Sequence, residues 1–277
     1  MQLKVTSWNI NSVRLRIGLV ERFLIEQKPD VLCLQEIKCR DAEFPLKDFR
    51  KLGYEHIAIN GQKGYHGVAI VSRLPIEEIN KREFCEKGDA RHISVNLAPI
   101  KGKPITIHNF YIPAGGDEPD PAINEKFAHK LQFLDELQEW TKTSKLAKDN
   151  SILVGDLNIA PLEHDVWSHK ALLSVVSHTP KETEKLTKIY QAGPWIDAIR
   201  HFIPADQKAY SWWSYRSPNW LESDRGRRLD HIWLSKALAS KLTSIDIFKE
   251  ARGWERPSDH APISAVLDLS KSDKTKT

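Results

Sequence analysis

The chain has 277 residues, 40% hydrophobic and 28% charged, which is enough apolar material for one large domain or two small ones. A net charge of only +4 excludes a dedicated sequence-independent DNA coat protein, whose basic surplus would be far larger. No apolar run approaches the length of a membrane span and no start resembles a signal peptide, so the chain reads as cytoplasmic with no membrane partner.

Short apolar strands bounded by Gly, Pro or Asn recur along the chain. In the first, 3–10, alternation puts Trp8 and Ile10 on one face and Asn9, with Asn11 beyond it, on the other. Asparagine is disfavoured in strands, so two on one face need polar partners. Ser12 is a candidate cap for a helix over 13–27, where Val13, Ile17, Val20, Phe23 and Leu24 share a face. Strand 30–35 runs directly into Glu36. A lone strand-end Glu ordinarily reaches solvent, yet a carboxylate at the mouth of a sheet is costly to bury and suits a hard metal ion. Cys33 lies in this apolar run; it, Cys39 and Cys85 show no Cys-x-x-Cys spacing and read as reduced thiols, not a zinc site. Strands 55–60 and 67–72, joined by Gly61-Gln62-Lys63-Gly64, predict an antiparallel hairpin. Strand 92–98 follows, and strand 105–112 carries Tyr111 near its end, where a tyrosine is usually amphipathic packing.

A helix over 124–141 presents Phe127, Leu131, Leu134, Leu137 and Trp140. Strand 151–157 then repeats the Glu36 pattern: Asp156 and Asn158 share a face, and Gly155 lets another backbone approach. That recurrence points to a shared site. A third helix is predicted over 181–191. In the aromatic stretch that follows, Trp212 and Trp213 point opposite ways, so at most one faces the core and the other is free to stack on or wedge between bases. Arg225, Arg227 and Arg228 could hold phosphates, although solvated surface is the ordinary reading of any one basic cluster, Lys38 with Arg40 included. Strand 228–234 brings Asp230 and His231. Ser258-Asp259-His260-Ala261-Pro262 opens the last strand, 261–269. An imidazole beside an acid is either a satisfied core pair or a charged donor for a developing phosphate; the second reading needs a distant carboxylate, and Asp230 is the candidate.

Helices separate only some strands, so the fold class is α/β, with mixed sheets packed face to face and helices outside. A single domain is expected over 1–269, with 270–277 a polar, frayed tail. Three strand-end carboxylates, a histidine and several asparagines suggest metal-assisted chemistry on a phosphate.

The blocks Trp8-Asn9-Ile10-Asn11-Ser12-Val13-Arg14, Val31-Leu32-Cys33-Leu34-Gln35-Glu36-Ile37-Lys38, Gly61-Gln62-Lys63-Gly64-Tyr65-His66-Gly67, Asn109-Phe110-Tyr111, Gly155-Asp156-Leu157-Asn158, Ser211-Trp212-Trp213-Ser214-Tyr215-Arg216, Arg228-Leu229-Asp230 and Ser258-Asp259-His260 resemble, in order, the exonuclease III family. This is a group of DNA-repair nucleases in the exonuclease–endonuclease–phosphatase superfamily. The resemblance implies a DNase I-like four-layer α/β sandwich with its site at one edge of two facing sheets. It implies Mg²⁺, replaceable by Mn²⁺, with Glu36 the principal ligand and Asn9, Asn11, Asp156, Asn158 and Asp259 in or near the shell. Asp156 would activate the attacking water, and Asn158 would orient it. His260, held by Asp230, would contact a phosphate oxygen, Tyr111 the phosphate or leaving group, and Arg91 would clamp a phosphate. Trp212 and Leu229 would wall a flipped-out abasic sugar. The implied hydrolase is a monomer acting on duplex DNA at abasic sites or 3′ ends, as exonuclease, abasic-site endonuclease and 3′-phosphatase. Loop 162–170 departs from the family pattern, and the acidic loop after Tyr111 lacks an arginine, which leaves the balance of activities open. The alternatives are another phosphodiesterase of the superfamily and a non-catalytic RNA- or protein-binding regulator on the same fold.

Overall fold

The computed structural model describes residues 1–98, 104–144, 146, 150–217 and 219–271. In chain order the first half comprises β1 (Gln2–Asn9), α1 (Ile17–Gln27), β2 (Val31–Gln35), α2 (Leu46–Arg50), β3 (His56–Asn60), β4 (Val68–Ser72), β5 (Ile76–Asn80), β6 (His92–Leu97), β7 (Ile105–Tyr111) and α3 (Glu125–Thr143). There follow β8 (Asn150–Asp156), α4 (His169–Leu172), α5 (Pro180–Ala192), β9 (Trp195–Asp197), α6 (Ala198–Phe202), β10 (Trp212–Trp213), α7 (Trp220–Ser223), β11 (Gly226–Arg227), β12 (Asp230–Ser235), β13 (Leu242–Ile247) and β14 (Ile263–Asp268). The nine predicted strands and three predicted helices all form, most with ends shifted by a residue or two. The hairpin pairs antiparallel from His56–Ser72 to Asn60–Val68.

Two six-stranded sheets carry the fold, ordered β13-β14-β1-β2-β4-β3 and β5-β6-β7-β8-β12-β9, beside a two-stranded ribbon β10-β11. Only β1–β2 and β7–β8 pair in parallel within these sheets. A parallel pair needs a crossover, and α1 and α3 supply the two required. Four layers result. Between the sheets lie Val5, Val31, Cys33 and Ile70 from one and Ile93, Ile107, Val154 and Ile232 from the other. The outer face of the first sheet buries Trp8, Leu32 and Leu34 against Val20, Phe23 and Leu24 of α1 and Phe49 of α2. The outer face of the second buries Phe110, Leu153 and Trp233 against Phe133, Leu134 and Leu137 of α3 and Leu186 and Ile189 of α5. Because both faces are covered, β2 is buried at every position.

Two expectations fail locally. Ser12 does not cap the first helix, which starts at Ile17 with Arg16 as its N-cap and no side-chain cap bond. Asn11 and Ser12 instead turn the chain with φ of 48° and 85°. The basic run near Trp212 is not uniformly solvated: Arg228 is 1% exposed and paired with Asp165 and Asp197 at 2.7 Å each. Of the tail, Ser270 and Lys271 lie in a turn, and 272–277 fall outside the described residues. No helix among the described residues is long and apolar enough to cross a membrane. All three cysteines are buried and free.

Candidate active site

The C-terminal ends of the parallel strands β1, β2, β7 and β8 lie at one edge of the sandwich and deliver Asn9, Glu36, Tyr111 and Asp156. Antiparallel pairing of β12 with β8 sets Asp230 opposite Asp156. The segment before β14 reaches the same edge, where His260 bridges to Trp212. Gly155 makes the convergence possible. At φ +144° it lies so close to β7 that a Cβ would meet the Phe110 carbonyl oxygen at 1.9 Å. Glu36 and Asn158 have φ of 49° and 54°, the left-handed region that side chains other than glycine seldom adopt. Such strain gathers where a site over-determines the backbone.

Asn9 binds the carboxylates together. Its Nδ2 donates to Glu36 Oε1 at 2.9 Å and Asp156 Oδ2 at 2.8 Å. Tyr111 donates its hydroxyl to Glu36 Oε1 at 2.9 Å, and Lys38 Nζ lies 2.8 Å from Oε2. Asp156 Oδ1 accepts the Asn158 N–H at 2.9 Å, and Oδ2 accepts Asn158 Nδ2 at 3.2 Å. His260 stands between two acids, Nδ1 to Asp230 Oδ2 at 2.8 Å and Nε2 to Asp156 Oδ2 at 3.6 Å. Asp259 accepts Trp212 Nε1 at 2.9 Å and Asn11 Nδ2 at 3.3 Å. The supports are as specific. Ser211 Oγ donates to Asp230 at 2.6 Å. Ser258 Oγ donates to the Asn9 carbonyl at 2.6 Å and accepts the His260 N–H at 3.2 Å. Buried Lys130 of α3, ion-paired with Glu182, donates to the Asn158 carbonyl at 2.8 Å.

The electrostatics follow from burial and pairing. Burial pushes the Asp156 carboxyl up to about 7, with Asp230 adding to the push against the opposing His260 and Asn9. Burial disfavours charge on His260, but the Asp230 and Asp156 carboxylates outweigh it and raise the imidazole to about 10. Burial likewise pushes Glu36 up, yet Lys38 and the Asn9 amide hold it below the usual carboxylate range. Burial and the Glu36 charge raise Tyr111 well above its ordinary value, so its hydroxyl keeps its proton and donates it.

These side chains floor a cavity of about 850 Å³. Glu36, Tyr111, Asp156, Asn158, Asp259 and His260 line it, with Trp212, Leu229, Arg225 and Arg227 on the wall. Asn9, Asn11 and Asp230 stand directly behind, bonded to lining residues. Arg91 does not line it. Its guanidinium lies 5.1 Å from the Tyr111 ring and binds Asp89 at 2.9 Å and the Tyr111 carbonyl at 3.3 Å. Asp156, Asp230 and His260 are the one group of three or more acidic, histidine or cysteine side chains, among the described residues, whose ligand atoms lie within 4.8 Å of one another. Both ring nitrogens of His260 face carboxylates, so hard oxygen donors remain: Glu36, Asp156 and Asp259 at the cavity and Asp230 Oδ1, buried without a hydrogen-bond partner. That donor set fits a small divalent cation. Sequence reasoning missed Lys38, Ser211, Ser258 and Lys130. Ser211 and Ser258 adjoin the site residues Trp212 and Asp259, and Lys38 lies two residues after Glu36; Lys130, on the apolar face of a helix, leaves no such signal.

The model of the endonuclease/exonuclease/phosphatase family matches residues 6–260. The chain belongs to this family. Exodeoxyribonuclease III of Haemophilus influenzae is 33% identical over 271 residues, covering 95% of this chain and 99% of that one. An AP endonuclease from Archaeoglobus fulgidus superposes with a TM-score of 0.87 at 32% identity, covering 96% of this chain and all of the other. A 3′ phosphatase from Neisseria, bound to a product DNA hairpin, superposes with a TM-score of 0.86 at 29% identity over 96% of this chain and 99% of its own. The family's DNase I-like sandwich is the fold found here.

Proposed function

We infer that this family member is a divalent-metal-dependent DNA-repair nuclease that hydrolyses phosphodiesters of DNA. The observation that carries it is the single network Glu36–Asn9–Asp156–His260–Asp230 on the cavity floor. It joins hard oxygen ligands, a base and a cationic donor within one phosphate's reach.

Mg²⁺, replaceable by Mn²⁺, would be held by Glu36 and Asp259, with Asp156, Asn158, Asn9 and Asn11 around them. When bound it would neutralise charge on the attacked phosphate and on the leaving oxygen. The remaining work belongs to side chains. Asp156 accepts the proton of the attacking water, its carboxyl raised by burial towards neutrality. Asn158 fixes Asp156 and orients that water. His260, charged and held by Asp230, donates to a non-bridging oxygen as negative charge develops. Tyr111 places its hydroxyl against the phosphate or leaving group, and Arg91, stacked on that ring, holds it in place while adding positive charge behind it. Trp212 and Leu229 wall the space for an extruded sugar. The whole forms one nuclease domain over 1–269, a cytoplasmic monomer acting on duplex DNA at abasic sites and 3′ ends.

The test is direct. Protein with Mg²⁺ is given three labelled duplexes, carrying an internal abasic site, a 3′-phosphate or a 3′-hydroxyl end. Metal-dependent cleavage, abolished by chelator, is expected. Absence of cleavage on all three would overturn the reading.

A further inference from the structure

Arg227 and Arg228 are neighbours in sequence and opposites in environment. Arg228 is saturated by Asp165 and Asp197. Arg227 is half-buried, yet among the described residues no carboxylate pairs with it. Its Nη1 donates to the Val176 carbonyl at 3.0 Å and Ser177 Oγ at 2.7 Å, and its Nε is buried without an acceptor. The acid whose field reaches it, Glu182, spends its own oxygens on Lys130, Ser177 and Thr179. A half-buried guanidinium with only neutral partners keeps its charge available to an anion. Arg227 faces the place where one would arrive, because it lines the cavity. It lies 5.2 Å from the Trp212 ring, whose Nε1 bonds Asp259 at 2.9 Å. One indole therefore separates this unneutralised cation from the carboxylates.

We propose that Arg227 is an anion subsite for the phosphate on the 3′ side of the sugar held in the cavity, and so biases cleavage towards internal abasic sites over free 3′ ends. The proposal rests on the nuclease reading above and sets the balance among its activities. The attacked phosphate lies at the carboxylates, and the sugar following it enters against Trp212 and Leu229. An internal abasic nucleotide carries a second phosphate on its 3′ oxygen. A terminal nucleotide with a free 3′-hydroxyl carries none. Nor does a 3′-phosphate end supply one, since that phosphate is itself under attack. A planar guanidinium fixed by stacking matches phosphate geometry at little ordering cost. Arg225, 4.9 Å from the Trp167 ring on the same wall, extends the positive field without such fixation.

Arg227→Met keeps length and apolar contact with Trp212 and removes the charge; Arg227→Lys keeps the charge and loses the planar fork. The same three duplexes are cut by wild type and both variants, with kcat and KM resolved and folding checked by melting. The expected result is a fall in kcat/KM on the abasic duplex at least tenfold greater than on either 3′ end for Arg227→Met. It should arise mainly in KM, with partial recovery in Arg227→Lys. A parallel loss on all three substrates, an unchanged ratio, or a lysine variant no better than the methionine one would each overturn it. Wild-type protein that cut none of the duplexes would instead remove the nuclease reading beneath it.

Discussion

Asp156 and Glu36 share one hydrogen-bond donor, Asn9, but sit in different fields, and their substitutions should separate accordingly. Asp156→Asn preserves the shape and can still accept the Asn158 N–H. It removes the proton acceptor, so kcat should fall by about 10²–10⁴-fold while DNA is still bound and the fold is unchanged. Turnover within a few-fold of wild type would mean that another group activates the water. Glu36→Ala should instead lose activity at low Mg²⁺ and regain part of it at high Mn²⁺, because Asp156 remains. An activity curve indifferent to metal concentration would exclude Glu36 from the metal shell. At this scale the sequence was informative for a physical reason. A lone carboxylate at the end of an apolar strand ordinarily reaches solvent, but Glu36 and Asp156 repeat the pattern, and the recurrence points to a shared site. The partner of Lys38 was not evident, because a lysine three residues beyond a strand looks solvated until the left-handed turn at Glu36 folds it back.

In the ribbon β10, Trp212 belongs to the wall around Leu172 and Leu229, and Trp213 packs with Tyr210 and Ala261. Alternation in two residues of extended chain therefore separates site from core, as the sequence implied. Trp213→Ala should lower stability by about 3–5 kcal/mol, measured by denaturant unfolding, with Mg²⁺-dependent cleavage retained in the folded fraction. Trp212→Ala should weaken abasic-site incision by ~1–3 kcal/mol, the worth of a stacking contact. Trp212→Phe keeps the ring but frees Asp259 of its indole donor, so it should keep the substrate preference and raise the metal concentration needed. A phenylalanine variant with unaltered metal response would show that the indole N–H does not position Asp259. The strands that sequence reading passed over each have a local reason. β9, β10 and β11 are two or three residues long and carry no period, and β5 is an edge strand whose Glu77, Glu78 and Asn80 face solvent. β13 alternates only from Ser244 onward, past an irregularity between Leu242 and Ser244.

At the scale of the whole molecule, a buried ionic knot ties regions far apart in the chain. Asp165 accepts both Arg228 Nε at 2.7 Å and Nη2 at 2.9 Å and pairs with Arg200, and Arg228 reaches on to Asp197. No local pattern announces this, because each partner comes from a different element. Burial alone would raise the Asp165 carboxyl, but the two guanidinium groups outweigh it and hold it at about 2. A carboxylate whose folded pKa is depressed stabilises the fold above its unfolded value near 3.8 and loses that contribution as pH falls through the folded one. Acid unfolding between pH 4 and pH 2 should therefore be less steep in Asp165→Asn, which lacks the titrating group and the roughly 2 kcal/mol attached to it. Equal pH slopes for the two proteins would exclude Asp165 as a source of acid lability. β14 pairs with β1, and Ser258 holds Asn9 from 249 positions away. A chain that ends before Ser258 lacks Asp259, His260 and the strand that pairs with β1, and so lacks part of the centre. The centre of this nuclease is complete only when residues 258–268 have docked beside β1.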